Sequence, residues 1–262
     1  MRDSVAADHR RQRRCTEPVS SHSHEFVPLP ASGRRFTHER RVRLGDVTAS
    51  GRLRLDALAR YLQDVAGDDV RDAGIDAPWV MRRLALELGH LPRFNDDVEL
   101  VTFCSGTGSR WAERRTTLTV DGRVAAEAVA IWVYVNPDTR APAALEEWFF
   151  ELYGEASAGR RVSGRLRLPP PPPDAGSRPW PLRVSDFDVL AHVNNAAYWE
   201  AIEDELARSA AGARLVGAEL EHKAAVEPGE ALELRTATAD GHLAVWLTSG
   251  DRVRTAARVA LS

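Results

Sequence analysis

The hydrophobic pattern of the first half predicts a strand, a helix and then a sheet. Apolar residues recur at three- and four-residue spacing from Leu55 to Ala66, and Gly74 lies just past the end, which is typical of a helix that buries one face. A short strand is predicted before it, at 41–44. Strand-like runs follow at 84–88, 98–104, 111–120 and 124–135, and a connecting helix is predicted within 142–153.

The second half repeats this order after a run of prolines at 169–173. A strand is predicted at 180–184 and a helix over about 194–209, and further strands are predicted at 218–226, 231–238, 243–248 and 253–261. Turn signals such as Asp121-Gly122 and Asp240-Gly241 separate neighbouring strands in each half. The chain therefore has the pattern of a duplication.

The duplication can be followed residue by residue. Arg43-Leu44-Gly45-Asp46 aligns with Arg183-Val184-Ser185-Asp186 at a spacing of 140 positions. This repeat predicts a tandem α+β fold, in which two central helices are each wrapped by an antiparallel sheet and the two sheets are joined. The expected division is a disordered Arg/Ser-rich tail (1–35), a first copy (36–148), a linker with the proline run (149–179) and a second copy (180–262).

Composition narrows the class of protein. The 262 residues are 44% hydrophobic with a net charge of −3, which gives no general attraction to nucleic acid. No apolar run approaches the roughly 20 residues that a membrane-spanning helix needs. The two cysteines, Cys15 and Cys104, have neither metal-site nor redox spacing, so both are expected to be free thiols of a cytoplasmic protein.

Candidate chemistry lies between a strand and a helix of the second half. Asp188 and His192 stand four positions apart, just before a helix start whose free backbone N–H groups can polarise a carbonyl. The first copy has Thr48 and Arg52 at these positions, so one site per pair of copies is expected. A carboxylate, an imidazole and free N–H groups are suited to hydrolysing an acyl bond. Asp and Asn are, however, also ordinary turn and capping residues between a strand and a helix.

The segment Asp188-x-x-x-His192-Val-Asn194-Asn195-x-x-Tyr198 resembles the signature of the hot-dog-fold thioesterases. Over most of residues 36–262 the chain is similar to the acyl-acyl carrier protein thioesterases of plants and bacteria, which are tandem double hot-dog proteins. The resemblance implies hydrolysis of acyl-acyl carrier protein to free fatty acid and carrier thiol in fatty acid biosynthesis. It implies no metal and no cofactor, an acidic carrier protein as partner, and a monomer or homodimer.

The resemblance also assigns roles in the second copy. Asp188 would activate water or attack the carbonyl, and His192 would position groups and transfer protons. The backbone at Asn194 and Asn195 would polarise the thioester oxygen, and Tyr198 matches the first turn of the central helix.

Two positions depart from the family pattern. Leu190 stands where the family has a catalytic Asn, and Ala225 stands where an acid is usual. Glu227 is the nearest substitute acid, on the expectation that it shares a strand face with Ala225, roughly 7 Å away. An acyl-coenzyme A thioesterase and a degenerate acyl-binding or regulatory protein are therefore the alternatives.

Two further sets of residues are singled out. A cationic surface for the carrier protein could include Arg82, Arg83, Arg110, Arg114 and Arg115, although an ordinary solvated surface explains them equally well. The walls of an acyl tunnel could include Trp79, Trp111, Trp132, Trp199 and Leu190.

Overall fold

A computed structural model describes residues 24–262, which form one ten-stranded antiparallel sheet with three α-helices. The first-half strands are β1 (Phe36–Arg41), β2 (Trp79–Leu88), β3 (Asp97–Thr107), β4 (Trp111–Val120) and β5 (Arg123–Tyr134). The second-half strands are β6 (Gly176–Trp180), β7 (Leu215–His222), β8 (Leu232–Ala239), β9 (His242–Ser249) and β10 (Arg252–Leu261). The helices are α1 (Leu55–Asp72), α2 (Glu147–Ser157) and α3 (Tyr198–Ser209).

The strand order shows the duplication directly. It runs β1-β3-β4-β5-β2-β7-β10-β9-β8-β6, so the second half repeats the first in reverse order about the β2–β7 pair. β2 and β7 are antiparallel, with Leu84 opposite Leu220. The expected tandem fold, with two antiparallel sheets joined into one, is confirmed.

The two central helices, α1 and α3, pack against each other and against the sheet. In α1 the side chains of Leu55, Leu58, Leu62 and Val65 recur on one face and are buried in the main core. In α3, Trp199 and Ile202 have the same role. Burial of these faces fixes where each helix begins, and therefore where the loop before it lies.

The expected strands at 41–44 and 180–184 are displaced. β1 ends at Arg41 and β6 ends at Trp180, and the 3₁₀ turns Leu44–Asp46 and Val184–Asp186 follow them, so most of each prediction is wrong. The cause is a pair of buried carboxylates: Asp46 accepts a hydrogen bond from the Arg43 N–H at 2.9 Å, and Asp186 accepts one from the Arg183 N–H at 2.8 Å. A hydrogen bond between a side chain and the backbone does not change the hydrophobic pattern, so the pattern alone could not predict these turns.

The segment between the halves lies against the sheet. Residues 149–179, expected as a linker, include most of α2 and nearly all of β6. Between those elements the chain is held by hydrogen bonds, since the indole N–H of Trp111 donates to the Val162 carbonyl at 3.1 Å and that of Trp246 to the Pro169 carbonyl at 2.8 Å. The proline-rich segment is therefore a strap across the sheet, with residues 158–175 as its extent.

Part of the expected disordered tail is also ordered against the protein. Within residues 24–35, Arg34 forms an ion pair with Asp69 at 2.7 Å, and the Val27 carbonyl accepts a hydrogen bond from Arg115 at 2.8 Å. The tail prediction is wrong for these residues, and residues 1–23, with Cys15, lie outside the described part. Within residues 24–262, every helix is too short or too polar to cross a membrane.

Candidate active site

The loop before α3 is a compact turn closed by its own backbone. The Asp188 N–H donates to the His192 carbonyl at 2.9 Å, and the Ala191 N–H donates to the Asp188 carbonyl at 3.0 Å. Ala191 has a φ of 57°, in the left-handed region, where the equivalent residue of the first copy is Gly51. The turn thus holds Asp188 at a fixed place beside the start of the helix.

Asp188 opens onto a cavity of about 280 Å³ that both copies form, which we call the active-site cavity. The second copy contributes Asp188, Leu190 and Asn195. The other walls belong to the first copy and to α2, and they are mostly apolar: Ala66, Val70, Ile75, Ala77, Trp79, Cys104, Ala112, Trp132, Phe149 and Tyr153, with Gln63, Gly67, Glu113 and Arg114. A mostly apolar cavity with a few convergent polar groups is the usual form of a small-molecule site.

Asp188 and His192 are placed differently with respect to this cavity. The Asp188 carboxylate is partly buried, and one of its oxygens accepts a hydrogen bond from the Leu190 N–H at 2.9 Å. The His192 side chain is exposed and does not line the cavity. Among residues 24–262 no hydrogen bond joins the two side chains, so the structure does not pair them.

Asn194 and Asn195 have different environments although they are neighbours. The Asn194 N–H donates to the Asp186 carbonyl at 2.8 Å, and its side-chain Oδ1 accepts from the Ala196 N–H at 2.9 Å. Asn194 therefore caps the turn that precedes α3. The Asn195 N–H makes no hydrogen bond within the described residues, and Asn195 lines the cavity. Of the two asparagines, Asn195 is the one whose backbone N–H is free in residues 24–262 and which lines the cavity.

Tyr198 is part of the core under the site. Its side chain is buried, its hydroxyl is hydrogen-bonded to the Val226 backbone, and burial raises the pKa of the phenol. Its ring packs edge-on against the His222 ring at 5.2 Å between centroids. Burial lowers the pKa of His222 to about 3, so this imidazole is neutral. Tyr198 supports the loop and does not line the cavity.

The expected strand position of Glu227 is wrong, because β7 ends at His222. Ala225 and Glu227 lie in the following loop, and the Glu227 side chain is exposed and does not line the active-site cavity. Glu221, the other acid of this segment, is fully buried on the strap side. Its carboxylate accepts hydrogen bonds from the backbone N–H groups of Arg167 and Leu168.

The structure separates the arginines expected at a carrier-protein surface and the tryptophans expected as tunnel walls into buried residues and residues that line the cavity. Arg83 and Arg115 are buried, and Arg114 is enclosed beside Asp69, so these three are not available to a protein partner. Trp79, Trp132 and Leu190 line the cavity as expected. Trp199 lies in the main core and Trp111 holds the strap, so neither is a cavity wall.

One residue of the site was missed from sequence. Gln63 of α1 lines the active-site cavity, and its side-chain Oε1 is buried without a hydrogen-bond partner in residues 24–262. The signal lies in the repeat: the residue 140 positions later is Glu203, so a neutral amide faces the copy that carries Asp188.

Comparisons with known proteins agree with this architecture. The model of the acyl-ACP thioesterase N-terminal domain matches residues 33–153, and that of the C-terminal domain matches residues 173–255. An uncharacterized protein of Mycobacterium tuberculosis is 29% identical over 237 residues, covering 88% of this chain and 94% of its own. The chloroplastic oleoyl-acyl carrier protein thioesterase 2 of Arabidopsis thaliana is 26% identical over 203 residues, which cover 66% of this chain and 54% of the plant protein.

Solved structures share the fold. An acyl-ACP thioesterase from Bacteroides thetaiotaomicron superposes with a TM-score of 0.74 at 21% identity, covering 87% of this chain and 98% of its own. The 12:0-ACP thioesterase from Umbellularia californica gives a TM-score of 0.73 at 19% identity, covering 87% and 97%. With both domain models matched along most of its length, the chain belongs to the acyl-ACP thioesterase family and is a thioester hydrolase.

Proposed function

We propose that this protein hydrolyses the thioester of an acyl chain on acyl carrier protein, releasing free fatty acid in fatty acid biosynthesis in the cytoplasm. One observation carries the proposal: Asp188 and Asn195, whose N–H has no hydrogen bond in the described part of the chain, line the same cavity, and its other walls are mostly apolar. The cavity thus offers a base, a donor for a carbonyl oxygen and space for an acyl chain.

The reaction needs only these groups and water. Asp188 takes a proton from a water molecule, whose oxygen attacks the thioester carbon. Negative charge develops on the carbonyl oxygen, where the Asn195 N–H donates a hydrogen bond that strengthens in the transition state. Collapse of the tetrahedral intermediate breaks the C–S bond, and the leaving thiolate takes up a proton to give the carrier thiol.

His192 has a secondary part in this scheme. The exposed His192 ring lies at the end of the turn that holds Asp188. The Asp188 N–H donates a hydrogen bond to the backbone carbonyl of His192. The His192 ring would exchange protons with solvent or with the leaving thiolate when substrate is bound. Replacing His192 with Ala is therefore expected to slow hydrolysis less than replacing Asp188 does, while Glu227→Ala is expected to have no effect.

The deciding experiment measures thiol release from palmitoyl-acyl carrier protein and from palmitoyl-coenzyme A by the wild type, Asp188→Asn and Thr48→Ala. Thr48 is the residue equivalent to Asp188 in the first copy, so its variant controls for a general effect of changing a loop. Asp188→Asn should lower kcat by about 100-fold or more, the scale of a general base, whereas Thr48→Ala should not lower it.

The two donors separate the finer alternatives. A higher kcat/KM with the carrier protein than with coenzyme A supports the carrier as the natural donor, and the reverse order indicates an acyl-coenzyme A thioesterase. Binding of acyl chains without thiol release from either donor would contradict hydrolysis and favour an acyl-binding protein. Equal activity of Asp188→Asn and wild type would contradict the site.

A further inference from the structure

Because the chain is duplicated, the protein has a second cavity that is equivalent to the active-site cavity. The two cavities differ at Gln63, whose equivalent is Glu203. The second cavity, which we call the first-copy cavity, is lined by the loop residues Thr48, Ser50 and Arg52 and by Glu203, Leu206 and Ala207 of α3. Its lining matches the active-site cavity at the 140-residue spacing: Thr48 with Asp188, Ser50 with Leu190, and Glu203 with Gln63. Each cavity therefore combines the loop of one copy with the helix of the other.

In the first-copy cavity the helix start is already occupied by a side chain. One oxygen of the Glu203 carboxylate accepts a hydrogen bond from the N–H of Leu55, the first residue of α1, at 3.0 Å. The other oxygen accepts one from the Arg52 guanidinium. The backbone donor at that helix start is thus bonded to an internal carboxylate and is not free for a ligand carbonyl.

In the active-site cavity the equivalent groups are unpaired. Asn195 corresponds to Leu55, and its N–H has no hydrogen bond in the described part of the chain. Gln63 corresponds to Glu203, and its Oε1 is buried with no partner there either. A ligand carbonyl oxygen can accept a hydrogen bond from the Asn195 N–H. The oxygen and nitrogen of the Gln63 carboxamide exchange places by a half-turn of the amide, so the buried position that Oε1 holds without a donor can instead present Nε2–H to the same carbonyl oxygen.

We propose that Gln63 is a substrate-binding residue of the catalytic site, whose carboxamide N–H donates to the thioester carbonyl oxygen beside the Asn195 N–H. This inference rests on the proposed thioester hydrolysis and adds a second donor from the opposite copy. Two donors on one oxygen stabilise the charge that develops there in the transition state.

The amide at position 63 has a specific physical reason. A carboxylate would accept the Asn195 N–H, as Glu203 accepts the Leu55 N–H, and would remove it from the substrate. A second negative charge in the same cavity would also disfavour the ionised form of Asp188. A neutral amide keeps both the donor and the base available.

The test uses two non-hydrolysable ligands, one with the carbonyl group and one without it. Palmitoyl-dethia-coenzyme A retains the carbonyl but has carbon in place of sulfur, while S-hexadecyl-coenzyme A is a thioether without a carbonyl. Gln63→Leu should weaken binding of the ketone about 10-fold, the loss of one hydrogen bond, and leave binding of the thioether unchanged. Equal weakening of both ligands, or of neither, would overturn the proposal.

Kinetics give a second readout, with a matched control from the other copy. Gln63→Leu should lower kcat about 100-fold, the usual cost of losing one donor to an oxyanion. Gln63→Glu should lower it at least as much while the thermal unfolding midpoint stays the same or rises, because the new carboxylate caps the Asn195 N–H. Glu203→Gln changes only the first-copy cavity and should leave kcat unchanged.

The proposal and the function on which it rests can fail separately. If the wild type hydrolyses thioesters in an Asp188-dependent manner but Gln63→Leu is as active, the function stands and the role of Gln63 is wrong. If no thioester is hydrolysed but the ketone binds better than the thioether only when Gln63 is present, the carbonyl contact stands and the hydrolase function is wrong.

Discussion

The Asp69 carboxylate and the Arg114 guanidinium meet at 2.7 Å beside the inner wall of the active-site cavity. Asp69 also accepts hydrogen bonds from the Arg34 Nε–H at 2.7 Å and from the Tyr153 hydroxyl at 3.0 Å. Burial raises the pKa of Tyr153 to about 12, so the phenol remains a neutral donor. One buried carboxylate thus joins α1, β4, α2 and the N-terminal segment.

Replacement of Asp69 is expected to be costly. Asp69→Ala leaves Arg114 charged and enclosed without its partner, which should lower the free energy of unfolding by about 3–5 kcal/mol. Asp72→Ala removes the exposed second partner of Arg34 and should cost less than about 1 kcal/mol. Urea unfolding of both variants checks this, and equal losses would show that Asp69 does not organise the cluster.

The size of the active-site cavity should set the preferred acyl length. Ala66 lines this cavity, and its equivalent in the first-copy cavity is Leu206, so a leucine is accommodated at this place in one copy. Ala66→Leu should therefore fill space without unfolding the protein. The ratio of kcat/KM for palmitoyl over octanoyl thioesters should fall about 10-fold, since the longer chain loses more contacts.

The control for this change lies in the other cavity. Ala207→Leu adds the same volume to the first-copy cavity, where no acid stands at the position of Asp188. It should leave the ratio unchanged. A shift of the same size in both variants would mean that the acyl chain does not occupy the active-site cavity.

The fold was predictable where periodicity and turn chemistry agree. The spacing of Leu55, Leu58 and Leu62 predicts α1, and Gly74, with a φ of 68°, follows its end. Where a single carboxylate shapes the backbone, as at Asp46 and Asp186, the alternating pattern suggested a strand and the structure has a turn. The sequence predicted the strap to be a linker. Its hydrogen bonds to Trp111 and other sheet side chains connect residues far apart in sequence, so no local pattern indicates them.

The polar groups of the site were predictable only within the second copy, whereas Trp79 and Trp132 of the first copy were expected cavity walls and line the cavity. The loop motif singles out Asp188 and Asn195, and both line the cavity. It also pairs His192 with Asp188, whereas the turn directs the imidazole toward solvent. Gln63 stands in the other copy, so no local motif can include it. The difference between Gln63 and Glu203 at equivalent positions is the signal that the repeat alone contains.

Glu221 of β7 and Glu227 of the loop that follows should differ in their effects on stability. Glu221 is fully buried and accepts hydrogen bonds from the strap at the Leu168 N–H (3.1 Å) and from Lys223 Nζ at 2.9 Å. Glu221→Ala leaves these donors unpaired and should lower the free energy of unfolding by about 3 kcal/mol. Glu227→Ala changes an exposed side chain and should cost less than about 0.5 kcal/mol.

Limited trypsinolysis measures the same contact locally. Arg165 and Arg167 lie in the strap, and release of the strap from Glu221 should expose both peptide bonds to the protease. Faster cleavage there is expected in Glu221→Ala but not in Glu227→Ala. Unchanged cleavage in both variants would show that the strap is held without the buried carboxylate.

Buried His222 should make stability depend on pH. Burial lowers its pKa from 6.5 to about 3, so the folded protein keeps the ring neutral where the unfolded chain would protonate it. Between these values the unfolded state binds more protons, and the free energy of unfolding therefore falls as the pH falls below 6.5. From pH 7 to pH 5 this one group should account for a loss of about 2 kcal/mol.

Replacing the imidazole isolates its contribution. His222→Leu removes a ring whose Nε2 has no hydrogen-bond partner in residues 24–262 and retains an apolar side chain against Tyr198. Urea unfolding at pH 7 and pH 5 should show a loss about 2 kcal/mol smaller in this variant than in the wild type. His90→Leu, which removes an exposed imidazole, serves as the control. If the curves of wild type and His222→Leu run parallel between pH 7 and pH 5, His222 is protonated in the folded protein and its neutral burial is wrong.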